Sequence, residues 1–413
     1  MSGSSVFSKP HHPTVLPKDL VSKDTLLYLG LNEETAEFIW MDRIKPLVRK
    51  YAAEANDRLG KTFLANVIEH VYDFGQVSNT CDDDDRLWHR CMNLCGLDRK
   101  TKLAIMAPIF KKTRLTQSCL HWVCDTITLR FKALQELRAA EERAILEEQI
   151  RGASQVSVSG PSQPEETAMN KAVLHDSVDS SDETVTLYKG IDRASLGHLF
   201  KNKLHSSRIS SLATRGPTDV SPTSSAYYFY VDRDIAEQQA CYIKQRSNLT
   251  PVVLVQVTIP KAMLETGYEG PRREEVYWPS EDWKTLVFHC RRKRAVPADL
   301  AKYMDAQLVV TTVAARASRC FMGHMKRPDQ VTEDMVLKNK HGEDAIQYCF
   351  RRPHADWFLA EHAELKMLPF TDDEFRAWCV EAKEWELKDI PKFSLPCCLD
   401  SEKSHGKLTW LML

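Results

Sequence analysis

Long apolar runs and an excess of charge of either sign are both missing from this sequence. The first apolar run, 26–31, is far shorter than the roughly 20 residues that a membrane-spanning helix needs, and no later run reaches that length. Lysine and arginine number 56 against 57 acidic residues, and the net charge of −1 gives no overall field that attracts nucleic acid or anionic lipid. The polar start also lacks the apolar stretch of a secretory signal. We therefore expect a soluble cytoplasmic protein that binds neither membrane nor nucleic acid.

Regular cysteine spacing is missing as well. The twelve cysteines are scattered, which predicts reduced thiols in an intracellular protein rather than a disulfide framework. Cys-x3-Cys and Cys-x4-Cys pairs are wider than the usual pairs of a structural zinc site. Six residues of the first half are candidate zinc ligands: His89, Cys91, Cys95, Cys119, His121 and Cys124. We favour buried free thiols for the cysteines, and a zinc site stays open as the alternative.

Two charged runs have simple interpretations. Asp82–Asp85 lacks the ligand periodicity of a calcium loop, and we expect a solvated loop there. Arg291–Arg294 is a candidate nuclear address or phosphate contact, but no nucleic-acid recognition motif accompanies it. A solvated turn after a helix is favoured. The nucleus stays open as a second location.

A length of 413 residues with 43 % apolar and 27 % charged residues predicts two or three globular domains. Apolar residues recur at helical spacing through most of the first half, where Asn32 is a candidate N-cap and Pro46 predicts a kink. A segment rich in serine, glycine, proline and acid then predicts a disordered linker. We expect a flexible tail at 1–20, a helical domain at 21–150, a linker at 151–184, an α+β domain at 185–368, and a C-terminal helix and tail at 369–413.

The second half alternates short strand patterns with helices. Apolar or aromatic runs predict strands at 184–190, 226–231, 251–260, 306–313 and 344–350. No glycine-rich turn of the GxGxxG or Walker type follows any of these strands. The pattern predicts an α+β fold rather than a doubly wound nucleotide-binding fold, and no internal repeat is found.

Three of these segments occur in a recognisable order: Leu187–Gly190, Ala226–Tyr230 before a helix, and Ile346–Phe350 with one central glutamine. Here the chain resembles the ADP-ribosyltransferase superfamily, over about 180 residues. It is most similar to an uncharacterised bacterial and fungal family with a strand reading LYHG, a later GFYLTTD segment and a glutamine-containing strand. VYWPSEDWKTLVFHCRR and AQLVVTTVA resemble that family's connecting segments. The resemblance implies a split β-sheet fold that takes NAD as its substrate.

The resemblance also implies residues for NAD. Lys189, between Tyr188 and Gly190, stands where the family has a histidine or arginine that holds the NAD ribose or nicotinamide. A lysine offers a donor but not the planar fork of arginine, while a glycine lets the backbone approach a ligand closely. Tyr228 would stack against nicotinamide. Ser224 and Ser225 would bond its carboxamide.

The third motif departs from the family pattern, because Gln347 occupies the strand that carries the catalytic glutamate. We expect Glu343, four residues earlier, on the same face of that strand as a possible substitute. Loss of a carboxylate beside the developing ribosyl cation costs roughly 100- to 1000-fold in rate. Two hypotheses follow: transfer of ADP-ribose or hydrolysis of NAD with Glu343 and Gln347 by the ribose, or an inactive NAD-sensing or protein-interaction module. In the second, the helical domain is a candidate adaptor for a protein partner. A third hypothesis gives the main role of the protein to residues 25–150 as that adaptor.

Overall fold

The computed structural model describes residues 16–50, 56–154, 183–196, 209–247, 251–265, 271–316, 319 and 323–388. Most of the predicted tail, nearly all of the predicted linker and the end of the chain lie outside these residues. None of the helices in the described ranges combines the length and the apolar character needed to cross a bilayer.

The first region consists of helices packed around one core. They are α1 (Lys23–Tyr28), α2 (Glu33–Phe38), a π-helical segment (Ile39–Ile44), α3 (Lys45–Lys50), α4 (Asn56–Gly75), α5 (Asp85–Leu94), α6 (Arg99–Ile105), α7 (Lys111–Arg114) and α8 (Cys119–Ser154). The irregularity expected at Pro46 takes the form of the π-helical segment that ends just before it. Helix α8 buries the stripe that contains Val123, Ile127 and Phe131. It also continues four residues past the boundary expected at 150.

Two corners of this region have the same geometry. Gly30 and Gly96 both have positive φ, at 100° and 70°, and each ends a helix in a Schellman turn. The next residue in each corner is a leucine, and the two leucines form an isolated antiparallel bridge. Each glycine packs against a threonine of the helix that follows the other corner. A Cβ on Gly30 would collide with Thr101, and a Cβ on Gly96 would lie 2.6 Å from the Cβ of Thr35. The helix end, the glycine turn and the leucine after it therefore form a short structural repeat, which the sequence does not reveal as an internal repeat.

The caps of the helices that follow these corners repeat as well. Asn32 Oδ1 accepts a hydrogen bond from the Thr35 amide at 2.8 Å, and Asp98 Oδ1 accepts one from the Thr101 amide at 2.6 Å. Asn32 is thus the N-cap that the sequence predicts.

The second region is a seven-stranded mixed sheet with helices against it, which confirms the expected α+β class. In chain order its elements are β1 (Thr184–Asp192), α9 (Arg193–Leu196), β2 (Ala226–Tyr230), α10 (Arg233–Arg246), β3 (Val252–Pro260), α11 (Lys261–Leu264), β4 (Arg273–Val276), α12 (Glu281–Arg291), α13 (Ala301–Asp305), β5 (Leu308–Thr312), β6 (Ile346–Arg351), α14 (His354–His362), β7 (Glu364–Phe370) and α15 (Asp372–Lys388). Short 3-10 segments occur in both regions of the chain: Gln76–Ser78, Pro108–Phe110, Ser210–Leu212, Ala298–Leu300, Pro328–Gln330 and Glu333–Met335. Strand β7 runs past the boundary expected at 368.

The strand order is β4-β5-β6-β2-β1-β3-β7, and all neighbours are antiparallel except β4 and β5. Strands β1 and β2 share one residue pair, Tyr188 with Tyr230, whereas β1 and β3 pair along their whole length. The sheet is therefore nearly divided into two parts at this point. Strands β2 and β6 pair over five residues, which brings Tyr230 opposite Gln347.

Polar and aromatic contacts join the helical region to the sheet region. Arg130 of α8 is buried, and its Nε donates to the carbonyl of Arg246 at 3.0 Å. The Arg246 guanidinium donates to Asp125 Oδ2 at 2.6 Å, and its Cζ lies 4.6 Å from the ring centroid of Trp122. The Arg246 side chain is 1 % exposed and that of Asp125 is 45 % exposed, so only the arginine end of this pair is buried. The two regions are thus packed directly against each other at α8 and α10.

Candidate functional site

A cavity of about 590 Å³ lies beside the split in the sheet, and this volume is typical of ligand pockets. Its walls come from both regions of the chain. Strands contribute Lys189, Tyr228, Tyr230 and Gln347; the loop before β2 contributes 214–219; α10 contributes Ile235, Gln238, Gln239, Tyr242, Ile243 and Arg246; the helical region contributes Thr113, 116–118, His121, Trp122 and Asp125. The remaining lining residues are Arg291, Val313, Ala314 and Leu337.

Three residues that the resemblance assigns to NAD line this cavity together: Lys189, Tyr228 and Gln347. They come from β1, β2 and β6, which are adjacent in the sheet. Strand order brings the three strands together, and the antiparallel register puts Tyr228 and Gln347 on one face of the sheet. Lys189 points to the opposite face of β1 and reaches the cavity at the gap between β1 and β2.

Lys189 spans the gap between β1 and β2. Its Nζ donates to Thr214 Oγ1 at 3.1 Å and to the Tyr228 carbonyl at 3.4 Å. Both acceptors are uncharged. Because the protein shields the ammonium from water, the pKa of Lys189 is lowered from 10.5 to about 8. The residue therefore carries a positive charge at neutral pH that no carboxylate offsets directly.

Tyr228 is held mainly in the core. Its side chain is 6 % exposed, and its hydroxyl is hydrogen-bonded to the hydroxyl of Thr218. Burial raises the pKa of Tyr228, and the phenol stays neutral. Because only a small part of this ring is accessible, the implied stacking on nicotinamide would rely on that part.

Gln347 is fixed by a buried carboxylate, Asp219, that no motif of the sequence marks. Its Nε2 donates to Asp219 Oδ2 at 2.9 Å, and the Ala314 amide donates to the same oxygen at 3.0 Å. The other oxygen accepts from Arg291 Nε at 2.8 Å and Nη2 at 2.7 Å. Asp219 is 3 % exposed and also lines the cavity. A carboxylate thus stands beside the position of the motif glutamine, but an arginine neutralises it.

The same ion pair corrects the interpretation of the basic run. Arg291 ends α12 and is buried, rather than lying in a solvated turn. Arg292 donates to the carbonyl of Met325 at 2.6 Å. Only Lys293 and Arg294 are exposed as expected. Half of the run therefore serves the packing around the cavity.

The remaining predicted site residues are not among those that line the cavity. Glu343 is exposed in the turn before β6, since the strand begins only at Ile346; the expectation that it shares a strand face with Gln347 is wrong. Ser224 is exposed and Ser225 half-buried in the loop before β2.

Tyr188 and Gly190 face the other way from Lys189. The Tyr188 ring packs with Tyr230 and residues of α10. A Cβ on Gly190 would collide with the Ala236 carbonyl and lie 2.7 Å from the Ala240 nitrogen. Gly190 is therefore required for the close packing of α10, rather than for the ligand approach expected from the sequence.

The helical region supplies one wall of the cavity. The His121 ring is accessible from the cavity and lies 5.0 Å from the Trp122 ring in an edge-on arrangement. Shielding by the surrounding protein, and then the charges of Arg246 and Arg291, lower the pKa of His121 against the opposing effect of Asp125. The imidazole is thus neutral at physiological pH.

The charges around the cavity leave a positive balance. Both lining carboxylates are paired, Asp125 with Arg246 and Asp219 with Arg291. Lys189 bonds only uncharged oxygens, and Arg215 has no ion pair among the described residues. Two cationic groups without a carboxylate partner favour an anionic ligand.

The six candidate zinc ligands do not all come together within the described part of the chain, although the Cys91 thiol lies beside those of Cys95 and Cys119. Three are buried thiols that donate to backbone carbonyls: Cys91 to Gly75, Cys95 to Val71 and Cys119 to Trp88. The neighbouring Cys91 thiol, and then burial, raise the pKa of Cys95, and burial raises the pKa of Cys119. His89 is exposed and His121 lines the cavity. These positions agree with the favoured interpretation as buried thiols.

The acidic run is not simply solvated. Asp83 forms an ion pair with Lys111 at 2.7 Å, and Asp85 forms one with the buried Arg114 at 2.7 Å. Asp84 caps α5 and also pairs with Arg86. The loop is therefore fixed to its surroundings by its carboxylates.

Comparison with known proteins gives no match. We found no family model, no curated protein and no solved structure with significant similarity to the chain.

Proposed function

We propose that the chain is a divergent ADP-ribosyltransferase-like protein that binds NAD in this cavity without cleaving it efficiently. The observation that carries the proposal is the meeting of Lys189, Tyr228 and Gln347 at one cavity beside a split in the sheet. In the superfamily that the sequence resembles, residues at these three motif positions surround nicotinamide and its ribose.

The chemistry of the cavity supports a dinucleotide. A volume of about 590 Å³ suits a ligand of this size, and the half-buried ring of Trp122 offers a surface to a planar base. Arg215 provides positive charge for a diphosphate, and Lys189 offers a charged donor to the ribose, as its motif position implies. Their neighbours in the wall are hydrogen-bonding groups such as Gln117 and Gln238.

The charges in the same cavity lead us to expect slow cleavage of NAD. Cleavage of the nicotinamide–ribose bond creates a cationic sugar, and a fixed negative charge lowers that barrier. Gln347 carries no charge, and the two lining carboxylates are paired with arginines. A site without a competent carboxylate is expected to be about 100- to 1000-fold slower. NAD sensing therefore fits this chain better than rapid transfer of ADP-ribose.

Calorimetry with NAD on the full chain tests the proposal, and chromatography of released nicotinamide is run on the same samples. We expect binding of NAD, with Lys189→Met and Arg215→Ala each weakening it at least about tenfold through loss of a charge-assisted contact. The control Glu343→Gln removes a charge outside the cavity and should bind normally. No binding of NAD at millimolar concentration would refute the proposal.

One observation favours catalysis as the second candidate: Asp219 lies in the cavity wall, bonded to Gln347. If nicotinamide is released, and Asp219→Asn abolishes release while NAD still binds, then Asp219 supplies the missing charge and the enzyme hypothesis replaces the sensor. Binding of a protein partner by the helical region stays a prediction, separate from its part in the cavity wall.

A further inference from the structure

A thiol, a carboxylate and an imidazole come together away from the cavity lining. Cys81 and Asp82 lie in the loop before α5, and His324 lies in the connection between β5 and β6. One ligand atom from each of the three lies within 4.8 Å of the other two. Among the described residues, no other group of three or more histidine, cysteine or acidic side chains meets this distance.

Backbone hydrogen bonds hold Asp82 and His324 in place, and Cys81 is buried. The Asp82 amide donates to Thr80 Oγ1 at 3.2 Å, and the Asp82 carbonyl accepts from Trp88 Nε1 at 2.8 Å. The His324 amide donates to the Arg319 carbonyl at 3.2 Å. Cys81 is 1 % exposed. The side chains are therefore presented from anchored loops, which lowers the entropy cost of bringing them to one ion.

Their spacing suits tetrahedral coordination. With metal–nitrogen and metal–oxygen bonds of about 2.0–2.2 Å, two ligand atoms of a tetrahedral zinc site lie about 3.3 Å apart. His324 Nδ1 and Asp82 Oδ1 are separated by 3.3 Å. A longer metal–sulfur bond of about 2.3 Å allows a correspondingly larger separation for the thiolate.

The ligand types select the class of metal. A thiolate and an imidazole favour zinc or a similar late transition metal, while calcium and magnesium require several oxygen ligands. The side chains of His324 and Asp82 are 36 % and 42 % accessible, and an ion can reach the site from solvent.

We propose that Cys81, Asp82 and His324 bind one zinc-class divalent ion. Water would complete a site with three protein ligands. On binding, the Cys81 thiol releases its proton to solvent and its sulfur coordinates as the thiolate. The ion joins the loop of the helical region that contains Asp83 to the β5–β6 connection. Asp83 already approaches that connection through Arg316 Nη2 at 3.8 Å.

Titration of the metal-free full chain with Co²⁺ tests this site. We expect binding of one cobalt ion, with a thiolate-to-metal charge-transfer band in the near ultraviolet. Cys81→Ser should abolish the band, and Asp82→Asn and His324→Ala should weaken binding at least about tenfold, since even outer partners of metal ligands are worth that much. Cys379→Ser and His341→Ala remove the same side-chain types elsewhere and should bind cobalt normally.

Absence of the band, or a band that survives in Cys81→Ser and His324→Ala alike, would overturn the proposal and leave His324 and Asp82 as an ordinary ion pair. His324 is exposed, and its variant is expected to fold even if Cys81→Ser does not. Zn²⁺ should also raise the thermal midpoint of the natural chain but not that of His324→Ala. NAD calorimetry on His324→Ala should be unchanged, which separates this site from the cavity.

Discussion

Replacement of Asp219 by asparagine is expected to destabilise the sheet region strongly. The carboxylate accepts four hydrogen bonds, two from Arg291 and one each from Ala314 and Gln347. Both Asp219 and Arg291 are buried, at 3 % and 8 % exposure. Removal of one partner leaves the other charge without compensation, which costs about 3–5 kcal/mol. Asparagine retains the shape, removes the charge and replaces one acceptor oxygen with an NH2 group that cannot accept from these donors.

The matched control is Asp334→Asn, the same substitution in a solvated pair. Asp334 accepts from Arg316 at 3.1 Å and from Arg319 at 3.4 Å, but its side chain is 44 % exposed. Exposed pairs of this kind contribute about 0–1 kcal/mol. Urea unfolding followed by tryptophan fluorescence compares the two variants, because Trp283 is fully buried in the core beside this network.

The expected result is a clearly lower urea midpoint for Asp219→Asn and almost no change for Asp334→Asn. Equal, small shifts in the two variants would refute the argument that the buried carboxylate is what keeps Arg291 in place. Weaker NAD binding in Asp219→Asn is a second expected effect, because Gln347 loses the oxygen that orients its amide.

Three further predictions concern the same region. Affinity for NAD should fall as the pH rises past about 8, where Lys189 loses its proton, and calorimetry should find this fall absent in Lys189→Arg. The free energy of unfolding should rise with pH between about 8 and 10.5, because the unfolded chain still holds the Lys189 proton there; denaturation of Lys189→Met should lack that rise. Gly190→Ala should cost about 1–3 kcal/mol in thermal unfolding through its collision with Ala236, and a midpoint like that of the natural chain would contradict the packing argument.

The apolar pattern of the sequence is sufficient to predict the strands that form the centre of the sheet. β1, β2, β3, β5 and β6 each coincide with an apolar or aromatic run in the sequence. The two edge strands were not predicted. β4 reads REEV, and most side chains of β7 are partly or fully exposed, so neither has the apolar signal of a buried strand.

The candidate site could be predicted only in part, because its electrostatics depend on distant contacts. Asp219 is separated by 72 residues from Arg291 and by 128 from Gln347, and it lies in a loop without periodicity. No local pattern distinguishes it from a solvated aspartate. The placement of Glu343 failed for the opposite reason: a four-residue spacing implies a shared strand face only if the strand extends that far, and Gly342, with φ of 84°, still belongs to the preceding turn.

The two glycine corners of the helical region connect distant parts of the molecule. Thr101 packs against Gly30, and its hydroxyl accepts a hydrogen bond from Arg130 at 2.7 Å. The same arginine also holds the backbone of Arg246, whose guanidinium lines the cavity. A methyl group added at Gly30 would displace both contacts of its corner at once. Ligand affinity should therefore respond to a substitution at Gly30, in a turn that is not part of the cavity lining.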